Sequence, residues 1–97
     1  MDALRVSEAE SAAVAVAPRV TLEGMEAKIV KIDYLYHKHL TICVLEMENG
    51  FFVVGESAPA SVANFNADLG RKFAYENAIR QLWKLEGYAL REVLSRD

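Results

Sequence analysis

Cysteine is almost absent from this chain of 97 residues: Cys43 is the only one. An intramolecular disulfide is therefore excluded, and a reducing compartment is expected. The chain also has no apolar run long enough to cross a bilayer. Its first residues, MDALRVSEAESAAVAVAPR, do not read as a secretory leader, because Asp2, Glu8 and Glu10 interrupt them and the apolar run from Ala12 to Ala17 is short. A cytoplasmic protein is expected. Positive charge is not in excess either. The net charge of −3 argues against general binding to nucleic-acid duplexes or acidic membranes. There is no Gly-rich phosphate loop, no G-x-S-x-G turn, no H-E-x-x-H pair and no internal repeat. Ser57 could serve as a nucleophile, but no histidine lies near it in sequence to act as its base. The expectation is a protein that is not an enzyme and needs no cofactor.

Apolar residues are plentiful, at 53%. One domain with a packed core is expected, and an apolar excess on so short a chain favours self-association. Charge is unevenly spread. Residues 64–97 hold six Lys/Arg and five Asp/Glu, a net of +1; residues 1–63 hold five and nine, a net of −4.

Residues 1–18 are rich in Ala, Ser and Glu and end at Pro18, which reads as an N-terminal tail before a single α+β domain over 19–97. In TLEGMEAKI, Thr21 can cap a short helix with Glu23 in its first turn, although Gly24 weakens it. From Val30 the period becomes two, with Val30, Ile32, Tyr34 and Tyr36 on one face and Lys31, Asp33 and Leu35 on the other. HKHL is a turn. LTICVLEM is a second strand, apolar on both faces, and such a strand should be covered on both. Asn49-Gly50 predicts a type I′ hairpin, and FFVVGES a third strand. SAPAS ends the sheet. A helix capped by Ser61 or an adjacent Asn then runs from about Val62 or Asn66 to the chain end, with Leu69, Phe73, Leu82, Trp83, Leu90, Val93 and Leu94 as its apolar stripe and a kink or break at Gly87. The fold class is α+β: a short N-terminal helix, a three-stranded antiparallel meander, then C-terminal helices packed on one sheet face. The other face meets a second subunit or is partly wet.

A metal site is conceivable at His37-x-His39 with Cys43, but zinc sites usually combine two spaced pairs and only one cluster exists here. More informative are the cations of the last third. Asn77, Arg80, Lys84, Tyr88 and Arg91 are spaced three, four, four and three apart, so they share one acid-free helical stripe. Guanidinium groups bind phosphate bidentately and aromatic faces stack on bases. A small phosphorylated nucleotide suits this set better than a duplex, whose many phosphates an acidic chain cannot neutralise. The plainer reading is a solvated face, with Lys72–Glu76–Arg80 as an i,i+4 ion-pair ladder.

Three motifs carry a family resemblance. Phe51-x-Val53-x-Gly55-x-Ser57-Ala58 follows Asn49-Gly50; then comes Asn64-Phe65-Asn66-x-x-Leu69-Gly70-Arg71-Lys72-x-Ala74-x-Glu76-Asn77-Ala78; then Trp83-x-Leu85-Glu86-Gly87-Tyr88-x-Leu90. From about Val20 to Val93 the chain resembles a family of small phage and prophage proteins, and through it the type-one Thoeris anti-defence proteins. That resemblance implies a sponge: a protein that holds the cyclic ADP-ribose isomer made by a bacterial immune TIR-domain enzyme, or cyclic oligonucleotide signals of cGAS-like (CBASS) defence, and keeps it from its effector. It implies a homo-oligomer, dimer or hexamer, with ligand between protomers. Carried over by motif, Phe65 would stack on a base, Asn77 would hydrogen-bond ribose or base, and Arg71 and Arg91 would hold phosphates, with Arg80 beside them. Phe65 as helix-start packing and Asn77 as a structural amide are the alternatives. The chain departs from the family pattern at Lys84, where a Pro often follows the Trp, and in residues 1–18. A phage module that docks onto a host protein is the second function class, and a sequence-specific DNA binder is a weaker third, since no helix-turn-helix pattern stands out.

Overall fold

In the computed structural model, which describes residues 18–96, the two-residue period becomes a three-stranded antiparallel sheet in the order β1-β2-β3. The elements are α1 (Leu22–Ala27), β1 (Ile29–His37), β2 (Leu40–Met47), β3 (Phe52–Ser57), a one-turn 3-10 helix (Val62–Asn64) and α2 (Ala67–Leu94). The N-terminal tail read at residues 1–18 lies, apart from Pro18, outside the described residues.

Thr21 caps α1, its hydroxyl accepting from the Gly24 N–H at 2.9 Å. Asn66 caps α2, its Oδ1 accepting from the Leu69 N–H at 3.1 Å. Ser61 opens only the 3-10 turn and makes no side-chain cap. Helix α2 runs unbroken through Gly87. A single glycine costs about 1 kcal/mol in a helix, which 28 residues of propagation absorb.

The hairpin at Asn49-Gly50 is not type I′. Gly50 has φ of 87°, but Asn49 stays at negative φ. The Gly50 N–H bonds Met47 O and the Met47 N–H bonds Phe51 O, so the glycine follows a tight turn in the left-handed region and the hairpin has a longer loop. Asn49 contributes through its side chain, whose Oδ1 accepts from the Phe51 N–H at 3.0 Å.

Register assigns the faces. Tyr34 pairs with Cys43, Ile32 with Leu45 and Tyr36 with Thr41, while Cys43 pairs with Gly55 and Leu45 with Val53. These residues face α2. Thr41, Cys43, Leu45, Met47, Val53 and Gly55 are buried there. The other face carries Lys31, Asp33, Leu35 and His37 on β1, Leu40, Ile42, Val44 and Glu46 on β2, and Phe52, Val54 and Glu56 on β3. No described element covers it.

Helix α2 meets the sheet through only part of its predicted stripe: Leu82 is buried in the core and Trp83 packs against it. Leu69 and Phe73 are each 48% exposed, and the buried positions are Ala74, Ala78, Ile79, Leu82 and Glu76. Gly55 supplies the reason. A Cβ on it would lie 2.2 Å from the Ala78 nitrogen and 2.3 Å from the Ala74 oxygen. The helix backbone rests on the strand backbone, and only Ala at i and i+4 against Gly permits that approach. Leu69 and Phe73, on the turns around this contact, are displaced to the flank, while Ile79 and Leu82 still reach the core. The helix lies over β2 and β3 and covers β1 only in part: Tyr34 packs against the core, but Ile32 and Tyr36 on the helix-facing side remain exposed. At about 1.5 Å per residue α2 is roughly 42 Å long, whereas an eight-residue strand spans roughly 26 Å, so the helix outruns the sheet.

Candidate functional site

Six of the seven residues predicted to bind ligand fall in three places, and the seventh, Asn77, bonds the β3 edge. Arg80, Lys84, Tyr88 and Arg91 form the first. All are exposed, Tyr88 at 70%. At 100° per residue they share a sector of about 100° with Leu69 and Phe73, on the flank of α2 beside the β3 edge, where Asn77 reaches Glu56. The exposed stripe is thus apolar over its first two turns and cationic after, running about 33 Å from Leu69 to Arg91. Between them, Glu76 makes no ion pair with Lys72 or Arg80. It is buried, and its Oε2 has no hydrogen-bond partner among the described residues. The expected i,i+4 ladder therefore does not form, and Arg80 makes no ion pair among the described residues.

Phe65 is at the second place. It packs against Gly70 at the start of α2 and shares a cleft of about 220 Å³ with Ser57, Asn64, Leu69 and Phe73. Gly70 is required there, since a Cβ would lie 2.7 Å from Thr41 Oγ1. The cleft combines two aromatic rings with amide and hydroxyl groups. Phe73, read from sequence as core, belongs to it; only the tertiary approach at Gly55 turns that ring outward.

Arg71 lies on the opposite flank, toward β1. Its Nη1 donates to Tyr36 Oη at 3.2 Å and its Nη2 pairs with Asp68. The exposed ring of Tyr36 holds the guanidinium over the uncovered part of β1. Tyr36 was not predicted as a site residue; its two-residue phase relative to Tyr34 was the available signal.

Asn77 has another task. Its Oδ1 accepts from the Glu56 N–H at 3.0 Å. Glu56 belongs to the set of β3 residues whose N–H points away from β2, so Asn77 covers one position of an open sheet edge. Asn77→Ala is expected to cost about 1 kcal/mol, while Asn77→Asp, which keeps the acceptor, costs less. Chemical denaturation of the two variants measures this; equal losses would contradict it.

Two further contacts tie α1 to α2. Tyr75 Oη donates to Glu26 Oε2 at 2.6 Å, and Lys28 Nζ meets Glu86 Oε2 at 2.8 Å. The second contact separates two apolar clefts under the overhanging part of α2, of about 340 and 260 Å³. Burial, and then the Glu26 carboxylate, push the Tyr75 phenol above its ordinary range. Burial likewise raises Tyr34, with Cys43 adding to it, and raises Cys43 itself. A raised phenol is stabilising while protonated, so its contribution is complete below the unfolded value of about 10 and is lost as pH rises beyond it. The thermal midpoint should therefore fall more steeply above pH 10 in the wild type than in Tyr75→Phe; parallel slopes would refute the assignment.

His37 and Cys43 lie on opposite faces of the sheet, so they do not converge. Among the described residues no three His, Cys, Asp or Glu side chains are placed to hold a metal ion. None of the described helices is long and apolar enough to cross a membrane.

A family model of phage proteins, described as the N4 Gp49/phage Sf6 gene 66 family, matches residues 20–94. The chain belongs to this phage protein family. No curated protein and no solved structure matches it. The Gp49/gene 66 match spans every described strand and helix. It takes in all three candidate places, and the contact between Gly55 and Ala74 and Ala78.

Proposed function

We propose that this phage protein binds and sequesters a small cyclic nucleotide immune signal, a cyclic ADP-ribose isomer or a cyclic oligonucleotide, in the cytoplasm of the infected host. It does so without cleaving the ligand, and so needs no catalytic set or cofactor. The observation that carries this reading is the exposed stripe of Arg80, Lys84, Tyr88 and Arg91, whose cations make no ion pair among the described residues. The likeness of its motifs to the type-one Thoeris anti-defence proteins supports the same ligand class. The guanidinium groups take phosphate oxygens, Lys84 adds a point charge between them, and Tyr88 offers a face to a base. A convex helix encloses nothing alone, so the opposite wall comes from another protomer of a homo-oligomer. Setting two cationic stripes near each other is repulsive until an anionic ligand neutralises them, so binding and closure are coupled.

Isothermal titration with cyclic ADP-ribose isomers and a panel of cyclic di- and trinucleotides tests this reading. Binding of one of them is expected, with intact ligand recovered after heating. Absence of heat at tens of micromolar, or recovery of a cleaved product, would refute it. A second reading, docking onto a host protein, draws on the exposed apolar residues of the helix overhang, Leu85 and Val93. It predicts capture of one host protein that Arg80→Glu and Arg91→Glu leave unchanged.

A further inference from the structure

The overhang of α2 presents one set of positions twice. Leu82, Leu85, Glu86 and Ala89 wall the cleft of about 260 Å³; Glu86, Ala89, Leu90 and Val93, each four residues further on, wall the cleft of about 340 Å³. The two clefts are therefore about one helical turn apart, roughly 6 Å along the axis. Met47 and Phe51 of the hairpin close the smaller cleft from the other side, and Val20 and Met25 close the larger. Leu85 and Val93, one in each cleft, are 47% and 53% exposed. The ion pair of Lys28 with Glu86 lies between them. An apolar cavity of ~150 Å³ holds a benzene ring, so each cleft has room for one large apolar side chain. The smaller cleft is acidic at its rim. Glu48 borders it and makes no ion pair among the described residues, while Lys28 is already taken by Glu86.

We propose that these clefts receive two apolar side chains, four residues apart, from an amphipathic helix of a host protein, with a Lys or Arg of that helix beside Glu48. The inference rests on the second reading above, docking onto a host protein, and gives it a site and a partner chemistry. Spacing selects the helix. Residues i and i+4 of a helix lie on one face about 6 Å apart, as the clefts do. Residues i and i+2 of an extended segment, about 6.7 Å apart, come close, but such a segment needs an open strand edge to bond. The hairpin end offers none. The N–H groups of Met47, Glu48, Gly50 and Phe51 already donate to Phe51 O, Lys28 O, Met47 O and Asn49 Oδ1. A helix satisfies its own backbone and brings only side chains. Charge then selects a basic one. An acid at the smaller cleft would meet Glu48 and Glu86, whereas a cation pairs with Glu48. The cleft-lining positions lie about 180° around α2 from Arg80, Lys84 and Arg91, so a docked helix leaves the cationic stripe free.

Fluorescence anisotropy on the full chain, with helix-stapled peptides of about 16 residues as probes, tests it. The peptides carry two leucines spaced two, four or seven residues apart, with either lysine or glutamate as their charged residues. The four-residue spacing with lysine is expected to bind with micromolar Kd, at least tenfold tighter than the other spacings and than its glutamate version. Ala89 is exposed and borders both clefts, so Ala89→Trp should fill them and weaken binding at least tenfold with the circular dichroism spectrum unchanged. Glu48→Lys should reverse the preference between lysine and glutamate peptides. Binding weaker than about 100 µM across the set, tighter binding of another spacing, or a charge preference that Glu48→Lys leaves unmoved would overturn the proposal. Capture of a host protein that Ala89→Trp leaves unchanged would keep the docking reading and overturn this site. Failure to capture any host protein, with the peptides binding as expected, would overturn the docking reading and with it the partner named here.

Discussion

Gly55→Ala should unfold the protein or lower its thermal midpoint by more than about 12 °C. The added methyl carbon would stand 2.2 Å from the Ala78 nitrogen, 2.3 Å from the Ala74 oxygen and 2.7 Å from the Ala78 Cα. All three atoms are helix backbone, so no side chain can turn aside. Relief requires α2 to lift from β3, and with it Val53, Leu45, Ile79 and Leu82 lose contact. Overpacking of this kind costs about 3 kcal/mol or more, a large share of the ~5–15 kcal/mol that holds a domain together. In a domain of this size each kcal/mol moves the midpoint by roughly 4–8 °C. Because the clash is with backbone, Ala78→Gly in the same chain should not rescue it. A midpoint within about 4 °C of wild type, or rescue by Ala78→Gly, would show that the helix does not rest on the strand as described.

Arg80→Glu combined with Arg91→Glu should abolish nucleotide binding while leaving stability unchanged. Both side chains are exposed and neither has an ion-pair partner among the described residues, so the fold does not depend on them. A charge-assisted hydrogen bond contributes about 1.5–3 kcal/mol. Removing two and adding two acids should therefore weaken affinity at least a hundredfold. Tyr88→Ala, which loses only a stacking face, should weaken it by about 1–3 kcal/mol. A midpoint that falls with affinity would mean that the substitutions damage the fold; unchanged affinity would remove the stripe from the site. Raising salt should also weaken wild-type binding, since exposed charges are screened over about 8–10 Å.

The elements themselves were legible because local chemistry fixes them. The alternation of Ile32, Tyr34 and Tyr36, the caps at Thr21 and Asn66 and the punctuation by Asn49-Gly50 and Pro59 each act within a few residues of chain. The sequence also marked LTICVLEM as a strand needing cover on both faces, and one face of it is buried by α2. What was not legible depended on contacts between distant segments. Large apolar residues define a helix stripe by volume, yet the contact with Gly55 selects the small ones, Ala74 and Ala78, and turns Phe73 outward. Gly87 reads as a break, but nothing outside the helix forces one. Asn77 and Arg80 sit on one stripe by spacing alone. The free Glu56 N–H draws Asn77 to the strand edge, while Arg80 faces solvent. Arg71 and Phe65 are six residues apart and lie on opposite flanks of α2, because one reaches toward Tyr36 and the other packs over Gly70. The spacing of the cations was readable; whether two protomers close on them was not.

A crystal structure of the protein with the tightest-binding cyclic nucleotide of the panel is the most direct measurement of that closure. Ligand density is expected beside Arg80, Lys84 and Arg91 of one protomer, with a second protomer supplying the facing wall. Density in the cleft at Phe65 alone, or a ligand enclosed by a single chain with the stripe left in solvent, would contradict the account.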